Sequence, residues 1–128
     1  MTPKFRALDK TNNEMISWHR LLNGHNLRNV FMRPEMCGLT LMQSTGLKGK
    51  NGVEIYEGDI VRGIQHLSNN VNTPTQIIGT VKYSERNTMF YLENGESHDK
   101  FLYSLGSSIY EYEVIGNIYE NPNLLEGE

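Results

Sequence analysis

Residues 43–62 constrain the fold more than any other stretch, because two sharp chain reversals fall within them, followed by a strand. Lys50-Asn51-Gly52 is the strongest turn signal in the chain. Asn-Gly tolerates positive φ at both central positions of a type I′ turn, so a tight reversal is expected there. Glu57-Gly58-Asp59 is a second corner, and it feeds Ile60-Val61-Arg62, a β-branched run suited to a pleated strand. A chain that must turn twice within so short a span is built from short strands and not from long helices.

The flanking segments extend this pattern. Residues 4–8 alternate in polarity, residues 9–13 are polar and turn-forming, and residues 14–18 resume an apolar pattern, which predicts an N-terminal hairpin. Residues 19–29 are polar and read as an exposed loop around Asn23-Gly24. Val30-Phe31-Met32 predicts a short strand stopped by Pro34, and residues 38–43 alternate as a strand. The strand after Asp59 is expected to run to about Leu67, and residues 68–74 read as a polar, mobile loop. Residues 76–84 are the strongest strand, with Ile77, Gly79, Val81 and Tyr83 on one face. Glu85-Arg86-Asn87 turns the chain into residues 88–92, and Asn94-Gly95 turns it again. Residues 97–108 carry no single pattern, and within them Asp99 to Leu105 fit a short helical turn or an irregular edge. Residues 111–119 predict a last strand with Tyr112, Val114, Gly116 and Ile118 on one face, and Asn121-Pro122 reads as a helix cap followed by proline.

At 128 residues, with no composition break and no internal repeat, the chain is expected to form a single domain over residues 1–128. Strand signals spaced about 8–12 residues apart predict an all-β or β-dominated α+β fold, with an SH3-like central barrel extended by the N-terminal hairpin. The formal charge of −3 argues against a bulk basic nucleic-acid binder, although a local patch remains compatible with it. A single cysteine, Cys37, excludes an internal disulfide and a Cys-rich zinc site. The N-terminus has no apolar h-region and no apolar run reaches membrane-spanning length, so a cytoplasmic location is expected, with no membrane partner.

The order of motifs resembles the YopX-like family of small phage and prophage proteins. The resemblance rests on Lys4-Phe5-Arg6-Ala7 with Asp9-Lys10 and Met15-Ile16, and on Leu41-Met42-Gln43-Ser44-Thr45-Gly46-Leu47-Lys48. It continues through Asn51-Gly52, Glu54-Ile55-Tyr56-Glu57-Gly58-Asp59-Ile60-Val61, and the closing Glu113-Val114-Ile115-Gly116-Asn117-Ile118-Tyr119-Glu120-Asn121-Pro122. It implies a β-rich, oligomeric protein of phage or prophage origin in a bacterial host cell. It implies no reaction, catalytic residue or cofactor.

Candidate chemistry is sparse. Glu57 and Asp59 flank a glycine and would suit acid–base work only with a positioned partner; Asp59 as a hydrogen-bond acceptor in the corner is the simpler reading. His98-Asp99 lacks a nucleophile, and His19 and His25 lack metal-ligand spacing. Cys37 reads as a small buried apolar residue. Gly46-x-x-Gly49 lacks the spacing of a phosphate loop and reads as a turn. No catalytic residue, metal or cofactor is therefore assigned, and the chain is expected not to be an enzyme. Two functions remain. Exposed Tyr56, Tyr91, Tyr110 and Tyr119 would anchor protein contacts, in a homo-oligomer or with a phage or host protein. Alternatively Lys48, Lys50, Tyr56, Arg62, Lys82, Tyr83, Arg86 and Tyr91 would converge as a cationic and aromatic surface for nucleic acid. Glu54, Glu57 and Glu85 lie among them, which favours a solvated face of mixed charge.

Overall fold

The computed structural model describes residues 3–65, 76–86, 88–93, 103–104 and 110–125. Their fold is β-dominated, with nine strands in two antiparallel sheets among the described residues. The chain divides into two compact units, Met1–Ser44 and Thr45–Glu128, with the boundary inside a strand.

The first unit opens with the expected hairpin. Strands β1 (Phe5–Asp9) and β2 (Glu14–Ile16) pair with Ala7 opposite Ile16. Asp9 holds the turn: its carboxylate accepts from the N–H groups of Thr11 (2.9 Å) and Asn12 (3.3 Å) and from the Asn12 amide (3.0 Å). Residues 19–29, expected as a loop, instead fall in two short helices, α1 (Trp18–Gly24) and α2 (Leu27–Met32), apart from His25 and Asn26 between them. Each starts at a side-chain cap, Ser17 accepting from the Arg20 N–H and Asn26 from the Asn29 N–H. The helices form because Trp18, Leu21, Leu27 and Val30 have an apolar core to enter. Leu21 and Val30 are buried with Ala7, Ile16 and Leu39, and Phe5, Trp18, Leu27 and Leu41 pack against them. Residues 30–32 are thus the end of α2 and not a strand. A 3-10 turn, Pro34–Cys37, follows and is stopped by Gly38 in the left-handed region (φ 70°). It leaves Cys37 exposed, contrary to the buried position expected of it.

Strand β3 (Leu39–Lys48) pairs with β1 and continues past Gln43 through residues first read as a turn. Thr45 explains the extension. Its buried hydroxyl donates to the Ile55 carbonyl (2.8 Å) on β4 (Glu54–Tyr56) and accepts from the Leu47 N–H (3.1 Å). The first sheet has the order β2-β1-β3-β4. The reversal between β3 and β4 is where Lys50-Asn51-Gly52 placed it, but its geometry differs. Gly52 is left-handed (φ 78°) while Asn51 is not, the Gly52 N–H bonds the Gly49 carbonyl, and the Gly49 N–H bonds the Val53 carbonyl. That pattern is a three-residue loop with a left-handed glycine in last place, and not the two-residue type I′ turn.

The second sheet has the order β8-β7-β6-β5-β9 and curls as a half-barrel. Its strands are β5 (Asp59–Gln65), β6 (Gln76–Ser84), β7 (Met89–Glu93), β8 (Tyr103–Ser104) and β9 (Tyr110–Asn117). Ile55, Val61, Ile77, Val81, Leu92 and Tyr112 form its buried core. Of the face predicted for β6, Ile77, Gly79 and Val81 are buried, while Tyr83 stacks edge-on against Phe90 at 5.0 Å. A bulge beside Ile60 and Val61 shifts the register so that Gly116 opposes Ile60 and Val114 opposes Val61. Gly116 therefore leaves the face of Tyr112 and Val114 with which it was grouped. Pro122–Leu124 form a 3-10 turn, but the Asn121 side chain does not cap it; it reaches back to accept from the Asn117 N–H (3.3 Å). The loop expected at 68–74, the turn at Asn94-Gly95 and most of 97–108 lie outside the described residues.

Candidate functional site: the outer face of the five-stranded sheet

Side chains on a strand alternate between faces, so the core assigns the other face by default. With Val61, Ile77, Val81, Leu92 and Tyr112 inward, the other face carries Arg62 and Ile64 of β5, Ile78 and Lys82 of β6, with Thr80 buried between them, Tyr91 and Glu93 of β7, and Glu111 and Glu113 of β9. Two ion pairs cross between strands on this face. Arg62 stands opposite Glu113, and its Nη2 lies 2.6 Å from the Glu113 Oε1. Lys82 Nζ lies 2.7 Å from the Glu93 Oε2, and that hydrogen bond, against a smaller opposing effect of burial, raises the Lys82 pKa. Both pairs are substantially solvated, which holds each to about 0–1 kcal/mol of stability. Beyond the Arg62–Glu113 pair, opposite Glu111, Ile64 keeps 46 % of its surface exposed.

Three of the eight residues named for a binding surface share this face: Arg62, Lys82 and Tyr91, with Lys82 directly opposite Tyr91. Tyr83 follows Lys82 in sequence and so lies on the opposite, core-bearing face. Lys48 ends β3, Lys50 lies in the loop before β4, Tyr56 ends β4 and Arg86 lies in the turn after β6. Of the tyrosines named as anchors, Tyr119 is exposed, Tyr56 and Tyr91 are half-buried, and the Tyr110 side chain is outside those described.

The remaining candidates have structural roles or open positions. Asp59 is buried and accepts from the Tyr56 N–H, with Glu57 half-buried beside it. His19 and His25 are exposed, and the Asn23 amide bridges the His19 ring and carbonyl. His98 and Asp99 lie outside the described residues. No group of three or more His, Cys, Asp or Glu side chains among the described residues could hold a metal ion, and no described helix is long and apolar enough to cross a membrane.

A second surface was not read from the sequence at all. In the first unit, α2 and the 3-10 turn behind it leave Met32 and Met36 74 % and 78 % exposed, with Arg28 and Arg33 exposed beside them in sequence. Arg28, Met32 and Met36 recur at intervals of four, a helical spacing that the presence of Pro34 obscures. Charge also separates along the chain. Residues 1–44 carry six Lys and Arg against three Asp and Glu, whereas residues 45–128 carry six against twelve. The units are therefore +3 and −6, a contrast that the whole-chain value of −3 conceals.

Two antiparallel sheets, short capped helices and a face bearing cross-strand ion pairs define a small β-dominated protein. The family model described as "YopX protein" matches residues 4–126, and the chain belongs to that family. Among solved structures it is similar to the crystal structure of protein EF1440 from Enterococcus faecalis, at 28 % identity and a TM-score of 0.59, over 98 % of this chain and 99 % of that one. No curated protein matches.

Proposed function

We propose that this chain is a non-enzymatic accessory protein of a phage or prophage. It works in the bacterial cytoplasm as an oligomeric protein-interaction module around an SH3-like barrel. The observation that carries this reading is the composition of the outer sheet face. An exposed isoleucine, Ile64, lies on the same face as the Arg62–Glu113 and Lys82–Glu93 pairs, the mixture of apolar anchor and polar surround that suits a protein partner. Size-exclusion chromatography with light scattering tests it: a mass above the monomer is expected at tens of micromolar, roughly where a micromolar dimer is populated. A monomer throughout that range would overturn the oligomeric part.

The second reading, a nucleic-acid-binding barrel, is favoured by the placement of Lys82 opposite Tyr91, since bases stack on aromatics beside cations. Against it, Arg62 and Lys82 are each engaged by a carboxylate and the second unit is strongly acidic. Salt-dependent binding of single-stranded DNA, weakened by Lys82→Ala and Tyr91→Ala, would favour this second reading.

A further inference from the structure

We propose that Asn51 is a site of spontaneous covalent modification: in the folded protein the Gly52 nitrogen displaces its side-chain amide, and hydrolysis leaves aspartate or isoaspartate in the loop between β3 and β4. The reaction needs no partner protein, so it stands apart from both readings above.

The chain holds three Asn-Gly pairs, at 23–24, 51–52 and 94–95, and the last lies outside the described residues. The other two are exposed, and at both the glycine is open, since a Cβ placed on it would meet nothing within 4 Å. The bonds held by each asparagine therefore separate them. The Asn51 side chain makes no hydrogen bond to another described residue. One restraint remains there: the Gly52 N–H donates to the Gly49 carbonyl at 2.9 Å. That bond belongs to an exposed loop tip, where local opening costs least. Asn23 is held more firmly. It lies in α1, one residue before the helix ends, and its amide donates to the His19 carbonyl at 3.0 Å and reaches the His19 ring. Ring closure at Asn23 would have to break that bond and unwind the last helical turn.

The chemistry is redox-neutral. Hydroxide takes the proton of the Gly52 nitrogen, which then attacks the Asn51 Cγ. The new C–N bond closes a cyclic imide, the Cγ–Nδ2 bond breaks, and ammonia leaves with a proton from water. Water then opens the imide. Cleavage at Cγ restores the ordinary main chain and leaves aspartate. Cleavage at the main-chain carbonyl carbon leaves isoaspartate, whose main chain runs through Cγ and is one carbon longer. Either product puts a carboxylate beside Lys48 and Lys50, neither of which forms an ion pair with another described residue. Isoaspartate also lengthens the chain between the Gly49 carbonyl and the Gly52 N–H, so that the bond closing the loop is lost.

The test keeps the whole protein at physiological temperature for several weeks, in neutral and in mildly alkaline buffer, with and without urea. Peptide mapping by mass spectrometry reads each Asn-Gly pair separately. Without urea, the peptide carrying Asn51 should show the amide-to-acid mass change several-fold more than the peptide carrying Asn23, as aspartyl and isoaspartyl forms, and faster in alkali. In urea the two sites should converge. Equal modification of Asn51 and Asn23 in the folded protein, or a product at Asn51 that forms only in urea, would overturn the proposal. Asn51→Gln, whose longer side chain closes its ring far more slowly, should melt like wild type and leave that peptide unchanged. A mass change that persisted in the same peptide would place the reaction at another residue and overturn the assignment. The isoaspartyl fraction, separated by anion exchange, should melt below Asn51→Asp; equal melting would overturn the loss of the loop bond.

Discussion

The Asp59 carboxylate accepts a hydrogen bond from the Tyr56 N–H at 2.8 Å, closing the corner between β4 and β5 from inside. Gly58, between them, is left-handed (φ 86°), donates to the Val81 carbonyl and accepts from the Ile118 N–H. The corner is thus tied to β6 and to the chain leaving β9. Asp59→Ala would leave a partly buried N–H without its acceptor and should cost about 1–3 kcal/mol. Gly58→Ala places a Cβ on positive φ and should cost about 1 kcal/mol or more. Thermal melts of both variants beside wild type check this. An Asp59→Ala protein that melts like wild type yet loses partner binding would move the residue from structure to function.

Gly79 should tolerate substitution less well than Gly63, for a reason of space and not of φ. A Cβ there would lie 2.8 Å from the Glu93 carbonyl oxygen, a backbone atom held by the β6–β7 pairing. At Gly63 the nearest atom, 2.9 Å away, belongs to the Tyr112 ring, which can rotate or shift. Gly79→Ala should therefore lose roughly 1–3 kcal/mol, and Gly63→Ala less. Urea denaturation midpoints of the two variants decide the order.

The Asp9 carboxyl should titrate below its ordinary value of 3.8. Partial burial pushes it up, but the hydrogen bonds from Asn12 and Thr11 and the charge of His25 pull it further down. A carboxyl whose folded pKa is depressed contributes stability that is complete above its unfolded pKa and is lost as pH falls through the folded one. Acid should accordingly loosen the β1–β2 hairpin below the ordinary carboxyl range and leave it unchanged toward neutrality. An NMR titration should find the Asp9 midpoint below 3.8 and move it upward in Asn12→Ala; an unshifted midpoint would refute the account.

Strands whose burial alternates along the chain were legible from sequence: β6 announces itself through Ile77, Gly79 and Val81, and the first hairpin through Ala7 and Ile16. What escaped depends on partners distant in sequence. Ser44-Thr45-Gly46 has turn composition, and it is held extended by the Lys4 carbonyl, which accepts from the Ser44 N–H, and by the Ile55 carbonyl on β4, which accepts from the Thr45 hydroxyl. The two helices have seven and six residues, too few for helical periodicity to stand out, and Asn26 interrupts the pattern between them. Gly116 changed faces because a bulge, which no local signal marks, shifted the register of β9. The candidate site was legible in part for the same reason. Alternation alone separates Lys82 from Tyr83, but the acids engaging Arg62 and Lys82 come from other strands.

The position of β9 beside β5 also sets the order of events during synthesis. Asp59 pairs with Asn117, near the other end of the chain, whereas β6 and β7 follow β5 directly and close early. At about 5–20 residues per second, the ribosome needs roughly 3–12 s to go from one partner to the other. Through that interval one edge of β5 lacks its eventual strand, and a nascent chain is open to pairing with a neighbour on the same message. A product ending before Tyr110 keeps that edge bare for good, so premature termination should yield aggregates rather than a smaller folded protein.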